Sequence, residues 1–163
     1  MLRLLHIENI AVIEQADILF ERGFNVMTGE TGAGKSIVID AMEAVLGGRT
    51  SRELIRTGAD KAFVSAIFSD VPENLPGLTE NGAAPDEDGN LTLQREISSE
   101  GKSICRVNGR PLTVTQLRQI GKELLNIHGQ HDGQLLLDES RHLAYLDRFG
   151  QTAGSLAAYK KDY

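Results

Sequence analysis

Alternation of apolar and polar positions dominates the chain. From Leu2 to Asn9, Leu5 and Ile7 alternate with His6 and Glu8, which predicts a half-buried strand. A second strand is expected over residues 11–20, with Ala16, Ile18 and Phe20 on one face and Gln15 and Asp17 on the other. Glu21-Arg22-Gly23 marks a turn, and the apolar run from Phe24 to Thr28 reads as a buried third strand. The period then changes. Apolar residues at 37, 38, 41, 42, 45 and 46 have helical spacing, and Gly47-Gly48 stops that helix.

Alternation returns at residues 61–71. Ala62, Val64, Ala66 and Phe68 face one way and Phe63, Ser65 and Ile67 the other; both faces are largely apolar, so this strand is expected to be central. Residues 72–90 hold three of the four prolines and the acidic Asp86-Glu87-Asp88, and read as an exposed connection with one helical turn near 75–80. Residues 91–97 and 103–107 read as paired strands. Asn108-Gly109 makes a tight turn, and Pro111 limits the next segment to a short edge. Thr113 or Thr115 caps a helix running to about Leu125, with Leu117, Ile120, Leu124 and Leu125 on one face. Asp138 to Phe149 predicts a further helix ended by Gly150, and a third helical pattern starts at Thr152.

Between the apolar run and the first helix stands Gly-Glu-Thr-Gly-Ala-Gly-Lys-Ser, residues 29–36, a full match to G-x-x-x-x-G-K-[ST]. Strand, glycine loop and helix is the order this motif requires. Gly29, Gly32 and Gly34 let the backbone curl and turn its N–H groups inward. The helix aims the positive end of its dipole at the same point. The expected polyphosphate cradle is Gly29, Glu30, Thr31, Gly32, Ala33, Gly34, Lys35, Ser36 and Ile37. Lys35 would reach the β- and γ-phosphates of a nucleotide, and the Ser36 hydroxyl would hold Mg²⁺.

Composition narrows the rest. Lys and Arg number 17 against 23 Asp and Glu, a net charge of −6, which argues against a broad basic surface. A local basic patch stays open. Arg49, Arg52 and Arg56 follow the first helix closely and invite a role in contacting phosphate; for Arg49 and Arg52 a solvated, helix-flanking cluster is the favoured reading. Cys105 stands alone mid-strand as a core thiol, which suits a reducing cytosol, and no apolar run approaches a membrane span. The N-terminus lacks a signal-peptide layout, so a cytoplasmic protein is expected. His128 and His131 lack companions at metal-ligand spacing, and Asp86–Asp88 read as a solvated loop.

Met1-Leu-Arg-Leu-Leu-His-Ile-Glu-Asn-Ile, the phosphate loop, Leu46-Gly-Gly-Arg, Val107-Asn-Gly-Arg-Pro and Ile127-His-Gly-Gln-His, in this order, resemble the SMC-like ATPases of bacterial DNA repair. The heads of that family are related to transporter ATPase cassettes. The resemblance covers nearly the whole chain and implies an α/β phosphate-loop head, a mixed sheet with an antiparallel N-terminal portion and flanking helices. Residues 1–150 would form the N-terminal lobe of a head that a long coiled coil splits, and residues 151–163 would start that coil. Gln130 falls on the family's Q-loop glutamine, which contacts Mg²⁺ and the attacking water. Arg56 falls near the arginine that such heads point at the nucleotide. Walker B and the Ser-Gly-Gly signature belong to the family's C-terminal lobe and are absent here, so the lobe alone is expected to hydrolyse ATP slowly or not at all. In the intact protein, with the C-terminal lobe present, two heads would sandwich two ATP molecules. The family repairs DNA double-strand breaks at the nucleoid, and this acidic segment itself is expected to bind DNA weakly.

Three other readings have their own requirements. A transporter cassette needs a signature soon after Gln130, and residues 134–163 hold none. A small-molecule kinase needs an arginine-bearing lid, for which Arg141 and Arg148 are the candidates. A purely assembling lobe needs no chemistry of its own.

Overall fold

The computed structural model describes residues 1–28, 33–127, 142–150, 152 and 159. The chain divides into two units, Met1–Asn126 and Ile127–Tyr163. In the first unit, six strands form one sheet: β1 (Leu2–Ile10), β2 (Ile13–Leu19), β3 (Lys61–Phe68), β4 (Leu91–Ser98), β5 (Ser103–Val107) and β6 (Arg110–Leu112). Their spatial order is β2-β1-β3-β4-β5-β6, and every neighbouring pair is antiparallel.

Register explains the core. Leu5 lies opposite Ala66, Ala66 opposite Leu93, and Leu93 opposite Val107. All four are buried, so one face is a continuous aliphatic layer. Helix α1 (Ala33–Val45) covers it across β1, β3 and β4, and α2 (Val114–Leu124) covers β5. The apolar positions expected of the first helix, Ile37, Val38, Ala41, Met42, Val45 and Leu46, are all buried. β3 pairs on both edges, as its two apolar faces require. Asn108 and Gly109 both adopt positive φ, 44° and 79°, which matches the twist a two-residue hairpin needs. Thr113 caps α2 in a reciprocal capping box with Gln116. The 72–90 connection is less exposed than expected: Gly77 and Leu78 are buried, and its one short helical turn lies at Thr79–Asn81.

One expected strand is not present. Residues 24–28 pair with nothing in the sheet, and Phe24 and Val26 are 93% and 64% exposed. A segment apolar on both faces needs a neighbour on each edge and a layer on each face. The six-stranded sheet offers it neither.

Two glycines let α1 and α2 meet. Gly47 has φ +85°, and a Cβ there would lie 2.6 Å from the Arg118 backbone nitrogen. A Cβ on Gly121 would lie 2.5 Å from the Leu46 carbonyl oxygen. Both contacts are backbone, so no side-chain shift relieves them.

On the opposite sheet face, His6 sits between two carboxylates. Its Nδ1 is 2.6 Å from Asp17 Oδ1 and its Nε2 is 2.9 Å from Glu8 Oε1. Partial burial pushes the imidazole down, but the hydrogen bonds and charges of Asp17 and Glu8 outweigh it and hold it above 6.5. The folded state therefore binds the proton more tightly than the unfolded chain. The stability from this group is complete below pH 6.5 and is lost as pH rises through the raised folded value. His6→Gln is expected to flatten that limb of a melting-temperature profile measured from about pH 6 to about pH 8.

The second unit contributes α3 (His142–Phe149); the expected start at Asp138 lies outside the described residues. The Gly150 amide donates to the Leu146 carbonyl at 2.7 Å and closes it where expected. Leu143, Leu146 and Phe149 are exposed. No described helix is long and apolar enough to cross a membrane.

Candidate phosphate-loop site

The first turn of α1 carries the described part of the motif. The helix starts at Ala33, so Gly34, Lys35 and Ser36 lie where backbone N–H groups have no intrahelical acceptor. No acidic residue occupies this turn, so no carboxylate of the turn itself offsets the positive end of the dipole. Gly34 and Ser36 are exposed and Lys35 is half-buried. A Cβ at Gly34 would meet nothing within 4 Å, which leaves open approach to the backbone. Ile37 is only 5% exposed and anchors the turn in the core, so it can offer a ligand its backbone N–H alone. Gly29, Glu30, Thr31 and Gly32 lie outside the described residues, as do His128, Gln130, His131 and Arg141.

Arg56 is held by the β1–β2 turn. Its Nη1 donates to the Val12 carbonyl at 2.8 Å, its Nη2 lies 4.0 Å from Glu14, and its backbone N–H donates to Asn9. Residues 54–56 thus run beside the tip of the first hairpin, where Ile10 bridges Ile55.

Beside α1 lies a cavity of about 330 Å³ lined by Ala11, Asp40, Glu43, Arg49, Thr50, Ser51, Glu53 and Leu54. Three carboxylates face one guanidinium there, a lining that repels phosphate. It is no substitute for the loop. Among the described residues, no group of three or more His, Cys, Asp or Glu could hold a metal. The donor set for Mg²⁺ fits only in part: the Ser36 hydroxyl is exposed in the first turn, and the remaining ligands would be phosphate oxygens and water.

Inspection of the sequence missed Arg95. It is 4% exposed and is the one buried polar residue among those described. Its Nη1 donates to the carbonyls of Ala44 at 2.8 Å and Gly48 at 2.7 Å, its Nε to Ser103 Oγ at 2.9 Å, and its Nη2 to Thr50 Oγ1 at 3.2 Å. Burial presses its proton affinity down, partly opposed by Cys105, and Arg118 nearby presses it further. Burial likewise pushes the Cys105 thiol up, so it stays a neutral core group, as expected. Arg95 fixes the C-terminal end of α1 to β4, and so holds from behind the helix whose front turn carries Lys35. Its signal was visible: it occupies the face of Leu91, Leu93 and Ile97, where an arginine breaks the apolar pattern.

A family model described as an AAA domain matches residues 4–151. The chain belongs to that family. It is similar to the DNA repair protein RecN of Bacillus subtilis, 44% identical over 166 residues that span 100% of this chain and 29% of that protein. RecN of Vibrio cholerae is 38% identical over the same share of each. The chain thus spans less than a third of the length of these relatives. The AAA domain here has the fold of SMC heads. The Smc head domain with coiled coil and joint of Pyrococcus yayanosii superposes with a TM-score of 0.69 at 23% identity, covering 98% of this chain and 34% of that one.

Proposed function

We propose that this chain is the ATP-binding N-terminal lobe of the head of an SMC-like DNA repair ATPase. The observation that carries the reading is the placement of Lys35 and Ser36 in the first turn of α1, which has no acidic residue, within an SMC-head fold. ATP would bind there with Mg²⁺ at Ser36, and Lys35 would neutralise the β- and γ-phosphates. When bound, Mg²⁺ supplies charge stabilisation to the transferring phosphoryl group. Gln130 would complete the metal site and orient the attacking water. Arg56 would leave the Val12 carbonyl and turn to the nucleotide. Residues 151–163 would start the coiled coil.

The exposed apolar run ahead of the loop supports a missing partner. Phe24, Val26 and Met27 are 93%, 64% and 40% exposed, and a phosphate loop entered from an unpaired segment lacks a rigid base. The C-terminal lobe of the same protein would pair with this segment and bring Walker B and the signature. Head-to-head dimerisation through ATP follows, in parallel with an SMC ATPase known for ATP-driven dimerisation and DNA-stimulated activation, whose chain matches with a TM-score of 0.65 at 23% identity over 89% of this chain and 95% of its own. DNA would be the substrate of the assembled protein in the cytoplasm.

The test is ATP hydrolysis by this lobe alone and mixed with its C-terminal lobe, with and without DNA. Activity is expected only in the mixture, with DNA increasing it. Phe24→Asp should weaken assembly of the two lobes about tenfold or more, measured by analytical ultracentrifugation, since a charge cannot enter a buried strand without a partner. Full hydrolysis by the lobe alone would overturn the split-head reading.

A further inference from the structure

A second cleft lies at the far end of α1. It has a volume of about 350 Å³, and Arg49, Arg52, Arg95 and Arg118 line it together with Thr50 and Ser51. No carboxylate is among its described lining residues. Four arginines thus line one place in a chain whose net charge is −6, with Arg49 also lining the acidic cavity beside α1 that holds Asp40, Glu43 and Glu53.

The arrangement is built in layers. Arg95 forms the buried base, fixed by Ala44, Gly48, Thr50 and Ser103. Arg118 stands on α2 with its Nε donating to the Gly47 carbonyl at 2.7 Å, which leaves the outer part of its fork for another acceptor. Arg49 and Arg52 are exposed at the mouth. Arg52 makes only a long contact, 3.4 Å, to the Glu100 carbonyl. Gly101, at φ +85°, leaves room for it: a Cβ there would lie 3.1 Å from Arg52 Nη2.

The charges do not balance. The C-terminal end of a helix contributes roughly half a negative charge, against the positive charges of Arg52, Arg95 and Arg118, with Arg49 shared with the acidic cavity. Arg118 stands close enough to Arg95 to disfavour the buried guanidinium's charge, after the larger effect of burial. An oxyanion entering the cleft would relieve that repulsion, and guanidinium forks suit a tetrahedral phosphate. The geometry points to a second phosphate-binding site in this cleft, separate from the phosphate loop, that takes one phosphate group either from a nucleic-acid backbone or from a small free phosphate compound. Separation follows from the helix itself: α1 has 13 residues, so its two ends lie about 20 Å apart. The site therefore stands whether or not the phosphate loop binds ATP.

The experiment uses the full-length protein and the double variant R49Q/R52Q, whose side chains are exposed and whose loss leaves the fold intact. A charge-matched control is R3Q/R106Q, at two exposed positions outside the cleft. One arm measures binding of a labelled DNA oligonucleotide by anisotropy across a salt series. The other follows thermal protection by inorganic phosphate. A nucleic-acid ligand predicts that R49Q/R52Q binds DNA about tenfold more weakly at about 0.1 M salt, with a salt slope smaller by about one to two, while the control changes little and ATP affinity is unchanged. A small phosphate ligand predicts unchanged DNA binding, with protection by inorganic phosphate lost only in R49Q/R52Q. Unchanged behaviour in both arms, or equal losses in variant and control, would overturn the site. Lys35→Ala separates the two sites, since it should remove ATP binding and leave both arms intact.

Discussion

Lys35→Ala is expected to lower ATP affinity of the full-length protein about a hundredfold, roughly 2.7 kcal/mol, the loss of one strong charge-assisted contact to phosphate. The effect follows from position. Lys35 occupies the first turn of α1, where backbone N–H groups have no intrahelical acceptor, and its charge would add to theirs at a bound phosphate. The melting temperature without nucleotide should change little, because Lys35 is half-buried on the helix rim and the core below it is held by Ile37 and Val38. Isothermal titration with a non-hydrolysable ATP analogue, beside a melting curve, checks both halves. Equal affinity in variant and wild type would remove Lys35 from the site.

Arg95→Leu should destabilise the fold markedly. Leucine fills much of the same space but strands the Gly48 carbonyl and takes one of two donors from the Ala44 carbonyl, which keeps the Gly47 N–H at 3.1 Å. An orphaned acceptor costs about 1–3 kcal/mol, so a loss of about 2 kcal/mol is expected. For a unit of this size that lowers the melting temperature by roughly 10 °C. Charge alone does not explain it, so Arg95→Lys should recover only part. An ammonium cannot span carbonyls and hydroxyls on two sides as a planar fork does. Urea denaturation of wild type and both variants measures the order. A leucine variant as stable as wild type would show that water satisfies those carbonyls.

Much of the sheet was legible because antiparallel pairing leaves one polar face and writes itself as alternation. Leu5 and Ile7 against His6 and Glu8, or Leu91 and Leu93 against Thr92 and Gln94, state which side meets the helices. The run at Phe24–Thr28 was misread for a physical reason. An apolar segment announces that it should be buried, but not what buries it. Arg95 was passed over because composition treats arginine as a surface residue; its place in the alternation carried the opposite message. For the candidate site, Lys35 and Ser36 were legible because a phosphate loop is local, one loop and one helix turn. Gln130 and Arg56 lie far from it in sequence, and only resemblance joins them to it.

The strand order also constrains how the chain reaches its native state. β1 is not an edge; it lies between β2 and β3. A chain made from its N-terminus can close the β1–β2 hairpin early, but the other edge of β1 waits until Lys61–Phe68 has emerged. Until then that hairpin presents an unpaired edge containing Leu5 and Ile7, a template for pairing with any neighbouring chain. Formation of the sheet is thus governed by a non-local pairing across a long intervening segment, α1 and the loop among it, which places the slow step of folding after β3 arrives. Yield during expression should therefore respond to translation speed between Leu19 and Phe68 more than to anything downstream.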